Sequence, residues 1–257
     1  MMRRLRWHFV AGLVVAGLVA AAPPAKAQGT GDGFLFGAPR GTLVVRAGVD
    51  QALAGSDIFA QAISDLTLRK RDFAGLSISG EMTASLSLRW DLVFGAGWSG
   101  SSHGSEYRNW VDNNDLPIQQ TTTFQRVPLT AGARYHLVAP GARIGHIAWV
   151  PSRVAPFVGG GVGATWYRFR QYGDFLDLGP VAVDAPPNVF SDELSTSGWS
   201  PTAYGEAGVD ISLTPRIFLT GEGRYTWARG HVGPDYAGFS PVDLSGFAVT
   251  VGVGFRM

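Results

Sequence analysis

The chain has 257 residues, 46% hydrophobic and 16% charged, with 35 glycines and no cysteine, which excludes a disordered chain, a disulfide scaffold and a thiolate metal site. Its formal net charge is +1, but the basic excess is concentrated at the N-terminus. Past residue 22 no stretch approaches the roughly 18 apolar residues of a membrane-spanning helix, so any membrane crossing must use strands.

Residues 1–27 read as a secretory signal peptide. Arg3, Arg4 and Arg6 precede an apolar run from Phe9 to Ala22, Pro23-Pro24 interrupts any helix, and Ala25-Lys26-Ala27 is a small-x-small cleavage site. Cleavage removes four of the 21 basic residues and no acidic one, leaving 17 against 20 and a net charge of −3. A nucleic-acid partner, which requires a basic face, is thereby disfavoured. Export without cysteine points to the outer membrane or periplasm of a diderm bacterium. Residues 28–40 are expected to form an N-terminal periplasmic segment and 41–257 a barrel.

The mature chain is dominated by period-two alternation, with no convincing amphipathic helix. In Thr42 to Asp50, Leu43, Val45, Ala47 and Val49 share one face while Val44, Arg46, Gly48 and Asp50 share the other. Gly75 to Ser87 gives the cleanest alternation, and Asp91 to Ser99, about Val127 to Leu137, Phe157 to Arg170, Ala203 to Leu213, Arg216 to Trp227 and Gly246 to Met257 repeat it. Together these make eight predicted strands. Short joints at Leu88-Arg89-Trp90 and Leu213-Thr214-Pro215 alternate with long polar stretches at 51–72, 100–121, 171–196 and 229–243. Short turns on one side and long loops on the other are how an up-and-down outer-membrane barrel is built. Residues 138–153 break this rule, and Pro128 inside the fourth segment implies a late start to pairing or a bulge.

Aromatic placement decides which face is outside. Trp98, Trp166, Trp199 and Trp227 lie on the apolar parity beside the long stretches and predict an interfacial girdle, with Trp90, Tyr135 and Phe255 available for the opposite belt. The other parity carries Arg46, Glu81, Arg134, Glu206, Asp210, Glu222 and Arg224, too many ions for an apolar soluble interior and suited to an ion-paired lumen. Gly159, Gly161, Gly163, Gly252 and Gly254 fill the rest of that face, as a narrow barrel requires. The fold class expected is all-β, an eight-stranded antiparallel up-and-down transmembrane β-barrel.

The terminal strand GFAVTVGVGFRM, the turn Leu213-Thr214-Pro215-Arg216, the PFVGGGVG strand and EGRYTW at 222–227 resemble the outer membrane protein A, X and W-like superfamily, over its barrel domain. The resemblance implies contact between the last strand, through Phe255 and Met257, and the outer-membrane assembly machinery, with lipid and lipopolysaccharide as surroundings. Met257 stands where the family usually ends in an aromatic residue.

Signals for chemistry are few. His103-Gly104-Ser105 is similar to the His-x-Ser spacing of the outer-membrane lipid A deacylase family, in which histidine is the base and serine the nucleophile, but Glu106 replaces that family's asparagine and the motif falls in a predicted loop. His136, His146 and His231 have no ligand set beside them, so neither a metal nor a cofactor is assigned. GGGVGA at 159–164 lies within an alternating strand rather than before a helix, so it does not read as a dinucleotide site. Arg69-Lys70-Arg71 is flanked by Asp65 and Asp72 and reads as a soluble loop, with lipopolysaccharide phosphates as the alternative. The expected function is a non-enzymatic outer-membrane barrel with a plugged polar lumen, serving envelope structure or loop-mediated interaction. A narrow channel is the alternative, with a lipid A-modifying enzyme and a soluble lipocalin-like carrier behind it.

Overall fold

The computed structural model describes residues 33–112, 114–145, 147–177 and 188–257. The signal-peptide reading, the first five residues of the N-terminal segment, His146 and residues 178–187 of the third long stretch lie outside them. In chain order the elements are β1 (Leu35–Phe36), β2 (Gly41–Ala52), α1 (Asp57–Asp65), β3 (Ala74–Ser85), β4 (Trp90–Val111), β5 (Pro117–His136), β6 (Gly141–Ile144), β7 (Ala148–Pro151), β8 (Val154–Asp177), β9 (Asn188–Ser212), β10 (Ile217–Gly230), β11 (Val242–Asp243) and β12 (Gly246–Arg256). Strands β2, β3, β4, β5, β8, β9, β10 and β12 pair antiparallel in sequence order, and β12 pairs back onto β2 from Gly246↔Ala52 to Arg256↔Thr42. The ring is closed and has no free edge.

The alternation sets the orientation of this ring. Val45, Val49, Ile78, Met82, Phe94, Leu219, Val249, Val251 and Val253 are exposed on its outer surface, which is a liability in water and a requirement in lipid. Trp98, Trp199 and Trp227 share that outward parity and are exposed, whereas Trp166 is half-buried and stands opposite Trp199 across β8–β9. Trp90 and Trp98 are eight residues apart on β4, roughly 26 Å along the strand and, at the usual tilt of about 40°, about 20 Å in height, which is most of the apolar band of outer-membrane barrels.

Four strands run far beyond a bilayer. β4, β5, β8 and β9 have 22, 20, 24 and 25 residues, against roughly 9–11 for a membrane crossing. The stretches 100–121 and 171–196, expected as loops, are therefore largely strand, and HGSEY at 103–107 lies on β4. The physical reason is that polar β-formers such as Thr121, Thr122 and Thr123 hold a ladder without any contrast in hydropathy between the two faces. Pro128 is fully inside β5, with no bulge. It is opposite Thr165 in β8, and on the β4 side the register resumes unchanged from Ala96↔Leu129 to Ser99↔Arg126.

Two further elements correct the sequence reading. The stretch 51–72 holds a helix, α1, whose Ile58, Phe59 and Ala62 are buried; so short a stripe gives little periodic signal. The stretch 138–153 folds as a hairpin, β6–β7, with β1 added as a third strand through Leu35↔Trp149 and Phe36↔Ala148. It lies at the short-turn end of the barrel, which in this architecture faces the periplasm.

The interior is layered. At the long-loop end α1 leans on the inner face of the tall wall, forming an apolar core in which Phe59 meets Phe73, Phe124 and Phe169 edge-on at 4.9, 5.2 and 5.3 Å. Tyr236, Val242 and Leu244 join this core from the last connection. Deeper in the barrel the lining becomes ionic.

Candidate functional site

Inward parity and strand register together assemble the charged site. One ladder row runs from Arg224 to Glu206 across β10–β9, to Gly159 on β8, to Arg134 on β5 and to Asp91 on β4. The absence of a side chain at Gly159 matters: a Cβ there would lie 2.9 Å from Glu206 Oε1, in the space the carboxylate crosses to reach Arg134. Gly252, opposite Arg46 across β12–β2, does the same for Arg46, whose Cγ would lie 2.6 Å from an added Cβ.

Six of the seven predicted lumen charges meet in one group. Arg134 donates from Nη2 to Glu206 Oε1 at 2.7 Å, to Glu81 Oε2 at 2.8 Å and to Glu222 Oε2 at 3.3 Å, and from Nε to Glu206 Oε1 at 3.0 Å. Arg224 donates to Glu206 Oε2 at 2.6 Å, to Glu222 Oε1 at 3.1 Å and also to Glu81. Arg46 Nη1 and Nη2 lie 2.6 Å from Glu81 and 3.1 Å from Glu222. Its nitrogens nevertheless lack hydrogen-bond geometry, so its contribution is Coulombic attraction rather than directional bonding. Three guanidinium groups face three carboxylates, so the group is neutral as a whole. Phe157 lies 4.1 Å under Arg134 and Tyr204 lies 4.4 Å under Arg224, adding cation–π contact in a desolvated site.

Asp210, assigned by parity to the same group, stands apart from it. It forms no ion pair among the described residues, and its Oδ1 is buried without a partner. Parity places a residue inside the lumen but says nothing of its height, and Asp210 lies toward the short-turn end. Two polar pairs were not anticipated as pairs. Arg126 bonds Asp50 at 2.8 Å and the Leu244 carbonyl at 2.7 Å just under the apolar core, and His136 Nε2 bonds Asp91 Oδ2 at 2.9 Å below the main group. Both lie on inward parity, which was the signal available for them.

Carboxylate oxygens of Glu81, Glu206 and Glu222 come within 4.8 Å of one another, a spacing that could suit a cation. Each carboxylate is already held by arginines, so the positive charge that such a site would supply is present in covalent form and no metal is assigned. The other candidates are scattered. Ser105 is buried with its hydroxyl donated to the Gln120 carbonyl at 3.3 Å, while His103 is exposed. Arg69, Lys70 and Arg71 are exposed beside α1, with the Arg69 amide donating to Asp72 at 2.9 Å.

The long-loop end is tied across its connections by Asp57, at the start of α1. Its carboxylate accepts the Ser240 hydroxyl at 2.6 Å and the Ser240 amide at 2.9 Å. The Ser240 hydroxyl, then its amide, holds the Asp57 carboxyl below the ordinary aspartate value of 3.8. A depressed folded-state value means the tether is fully present above pH 3.8 and is lost as pH falls through the lower value. The protection of the Ser240 amide against hydrogen exchange, taken relative to the intrinsic rate at each pH, should therefore fall on acidification below pH 3.8, and Asp57→Asn should show low protection already at pH 7. Protection indifferent to both changes would remove the tether.

The ring closure and the lipid-facing belt settle the fold. The chain is an eight-stranded outer-membrane-type β-barrel. No family model and no curated protein matches its sequence. Among solved structures it is similar to Neisserial surface protein A, at 14% identity and TM-score 0.47 over 84% of this chain and 96% of that one. It is likewise similar to outer membrane protein OprG from Pseudomonas aeruginosa, at 15% identity and TM-score 0.46 over 87% and 99%. A third similar structure is Ail, the attachment invasion locus protein of Yersinia pestis, in complex with the heparin analogue sucrose octasulfate, at 12% identity and TM-score 0.41 over 85% and 99%.

Proposed function

We propose that this protein is an integral outer-membrane barrel of a diderm bacterium with a closed lumen, non-enzymatic, acting in envelope structure or through contacts of its long-loop end. The observation that carries the reading is the neutral six-membered ion group spanning the lumen, with Arg46 and Glu81 almost fully buried. Closely paired, desolvated charges resist separation, because each ion left alone in a low-dielectric site costs several kcal/mol. The apolar core around Phe59 closes the same passage a second time. The tall wall of β4, β5, β8 and β9 gives the protein a rigid projecting surface for contacts outside the membrane. There Arg69, Lys70 and Arg71 would meet lipopolysaccharide phosphates, and the exposed Phe255 and Met257 on the last strand would engage the assembly machinery.

The purified, refolded barrel should show little or no steady conductance in planar bilayers. Arg224→Ala should raise leakage by leaving Glu206 and Glu222 with fewer partners. Large, stable openings in the unmutated protein would defeat the closed-lumen reading and favour the narrow channel.

A further inference from the structure

The barrel holds a chamber between the ion group and the β6–β7 hairpin. It is a cavity of about 770 Å³, roofed by Arg134, floored by Ala148 and Trp149, and opening at the short-turn end among Arg40, Ser87, Leu88 and Arg143. A connection of four or five residues would have sufficed between β5 and β8. The chain instead builds a three-stranded sheet there and buries Trp149 to 3% exposure.

The walls of this chamber carry unmatched polar groups. Asp210 is 6% exposed and His136 is 3% exposed, and Asp210 Oδ1 and His136 Nδ1 have no partner among the described residues. The opposite edge of His136, Nε2, faces the acceptor-only carboxylate of Asp91. Nε2 is therefore the protonated nitrogen, and in the neutral ring Nδ1 is an acceptor. The chamber thus presents two buried acceptors, and the protein donor beside them among the described residues is the Thr220 hydroxyl, across the β9–β10 ladder from Asp210. It also holds a buried cation, Arg256, 3% exposed, stacked on Phe218 at 4.6 Å and bonded only to neutral oxygens, Ser212 Oγ at 2.8 Å and the Pro215 carbonyl at 3.3 Å. It has no carboxylate at ion-pair distance among the described residues.

We infer that this chamber is a binding site for a small zwitterion of amino-acid to short-peptide size, open to the periplasmic side. An ammonium group carries three N–H donors, enough for Asp210 and His136 together, and unlike a hydroxyl or a water it also brings the positive charge that the Asp210 carboxylate attracts. A carboxylate supplies Arg256 with the direct ion-pair partner that Asp210, in the same chamber but beyond contact distance, does not provide, with the exposed Arg143 and Arg40 at the mouth drawing the anionic end inward. The volume falls within the range of small-molecule sites, and Trp149 and Phe218 supply apolar wall. The site does not depend on whether the lumen conducts, since its mouth is on the short-turn side of the ion group.

The test uses the refolded full barrel in micelles, with nitrogen-15 labelling, titrated with dialanine bearing free termini. The Trp149 indole N–H and the Arg256 Nε–H resonances should shift and saturate together. N-acetyl-dialanine, which lacks the ammonium, and dialanine amide, which lacks the carboxylate, should each bind roughly tenfold more weakly or worse, as expected for loss of a buried charge-assisted hydrogen bond. Asp210→Asn should weaken dialanine by a similar factor and leave N-acetyl-dialanine unchanged; Arg256→Gln should weaken dialanine and leave dialanine amide unchanged. Should Arg256→Gln fail to assemble, Asp210→Asn with the two capped peptides decides the matter. No saturable shift, equal binding of the capped forms, or an Asp210→Asn barrel that binds dialanine like the native one would each overturn the proposal.

Discussion

Arg134→Ala is expected to destabilise the barrel by about 3–5 kcal/mol, the usual cost of removing one partner from a buried ion pair. Arg134 is the residue on which all three glutamates converge, with contacts of 2.7 Å to Glu206, 2.8 Å to Glu81 and 3.3 Å to Glu222. Without it, three carboxylates share two guanidinium groups, and Glu206 faces Arg224 alone. Arg224 itself is a milder target because its side chain is 16% exposed against 3% for Arg134, so water can replace part of what is lost. Urea unfolding in lipid, read by tryptophan fluorescence and by heat-modifiable migration, measures the difference. Adding Glu206→Gln to Arg134→Ala restores a balance of two charges of each sign and should recover much of the loss. A single variant as stable as the native barrel, or a double variant less stable than the single one, would mean that lumen water rather than pairing solvates these groups.

Much of this site was readable from the sequence because period-two alternation is a strict geometric rule. A residue's parity fixes its face, so Arg46, Glu81, Arg134, Glu206, Glu222 and Arg224 could be placed inside before any pairing was known. Their partners could not, because register across the ring decides which inward residues share a height. That is why Asp210 was grouped with residues it does not contact, and why Asp50–Arg126 and Asp91–His136 were not seen as pairs. The upper strands were lost for a different reason. Where both faces meet polar surroundings, as along Ser101 to Glu106, the hydropathy contrast disappears while the ladder continues. Helix α1 and the β6–β7 hairpin escaped because each is short, and each gains its stability from the barrel it packs against rather than from its own pattern.

The second large effect should be confined to one end of the molecule. Phe59→Ala removes a ring that is 0% exposed and contacts three others, a change of about 3–5 kcal/mol where the surroundings cannot collapse. The ring belongs to α1, and α1 is held to the tall wall by side chains and by one short backbone bridge just after it, Leu66↔Tyr107, with the Thr67 amide donating to the Glu106 carbonyl at 2.8 Å. Arg108 reaches from β4 to the Ile63 and Leu68 carbonyls at 3.2 and 2.9 Å, and Asp57 reaches Ser240. With Phe59 gone, Ile58, Ala62 and these ties must order a nine-residue helix, too short to persist by itself in water. The expected result is local: hydrogen-exchange protection falls across 57–73, trypsin gains access to the exposed Arg69, Lys70 and Arg71, and the strand ladder keeps its protection. Conductance should stay low, because the ion group lies beneath the apolar core and remains intact. If Phe59→Ala alone opens a stable pore, the seal resides in the mouth rather than in the charges; if the whole barrel unfolds with α1, the two layers are one cooperative unit.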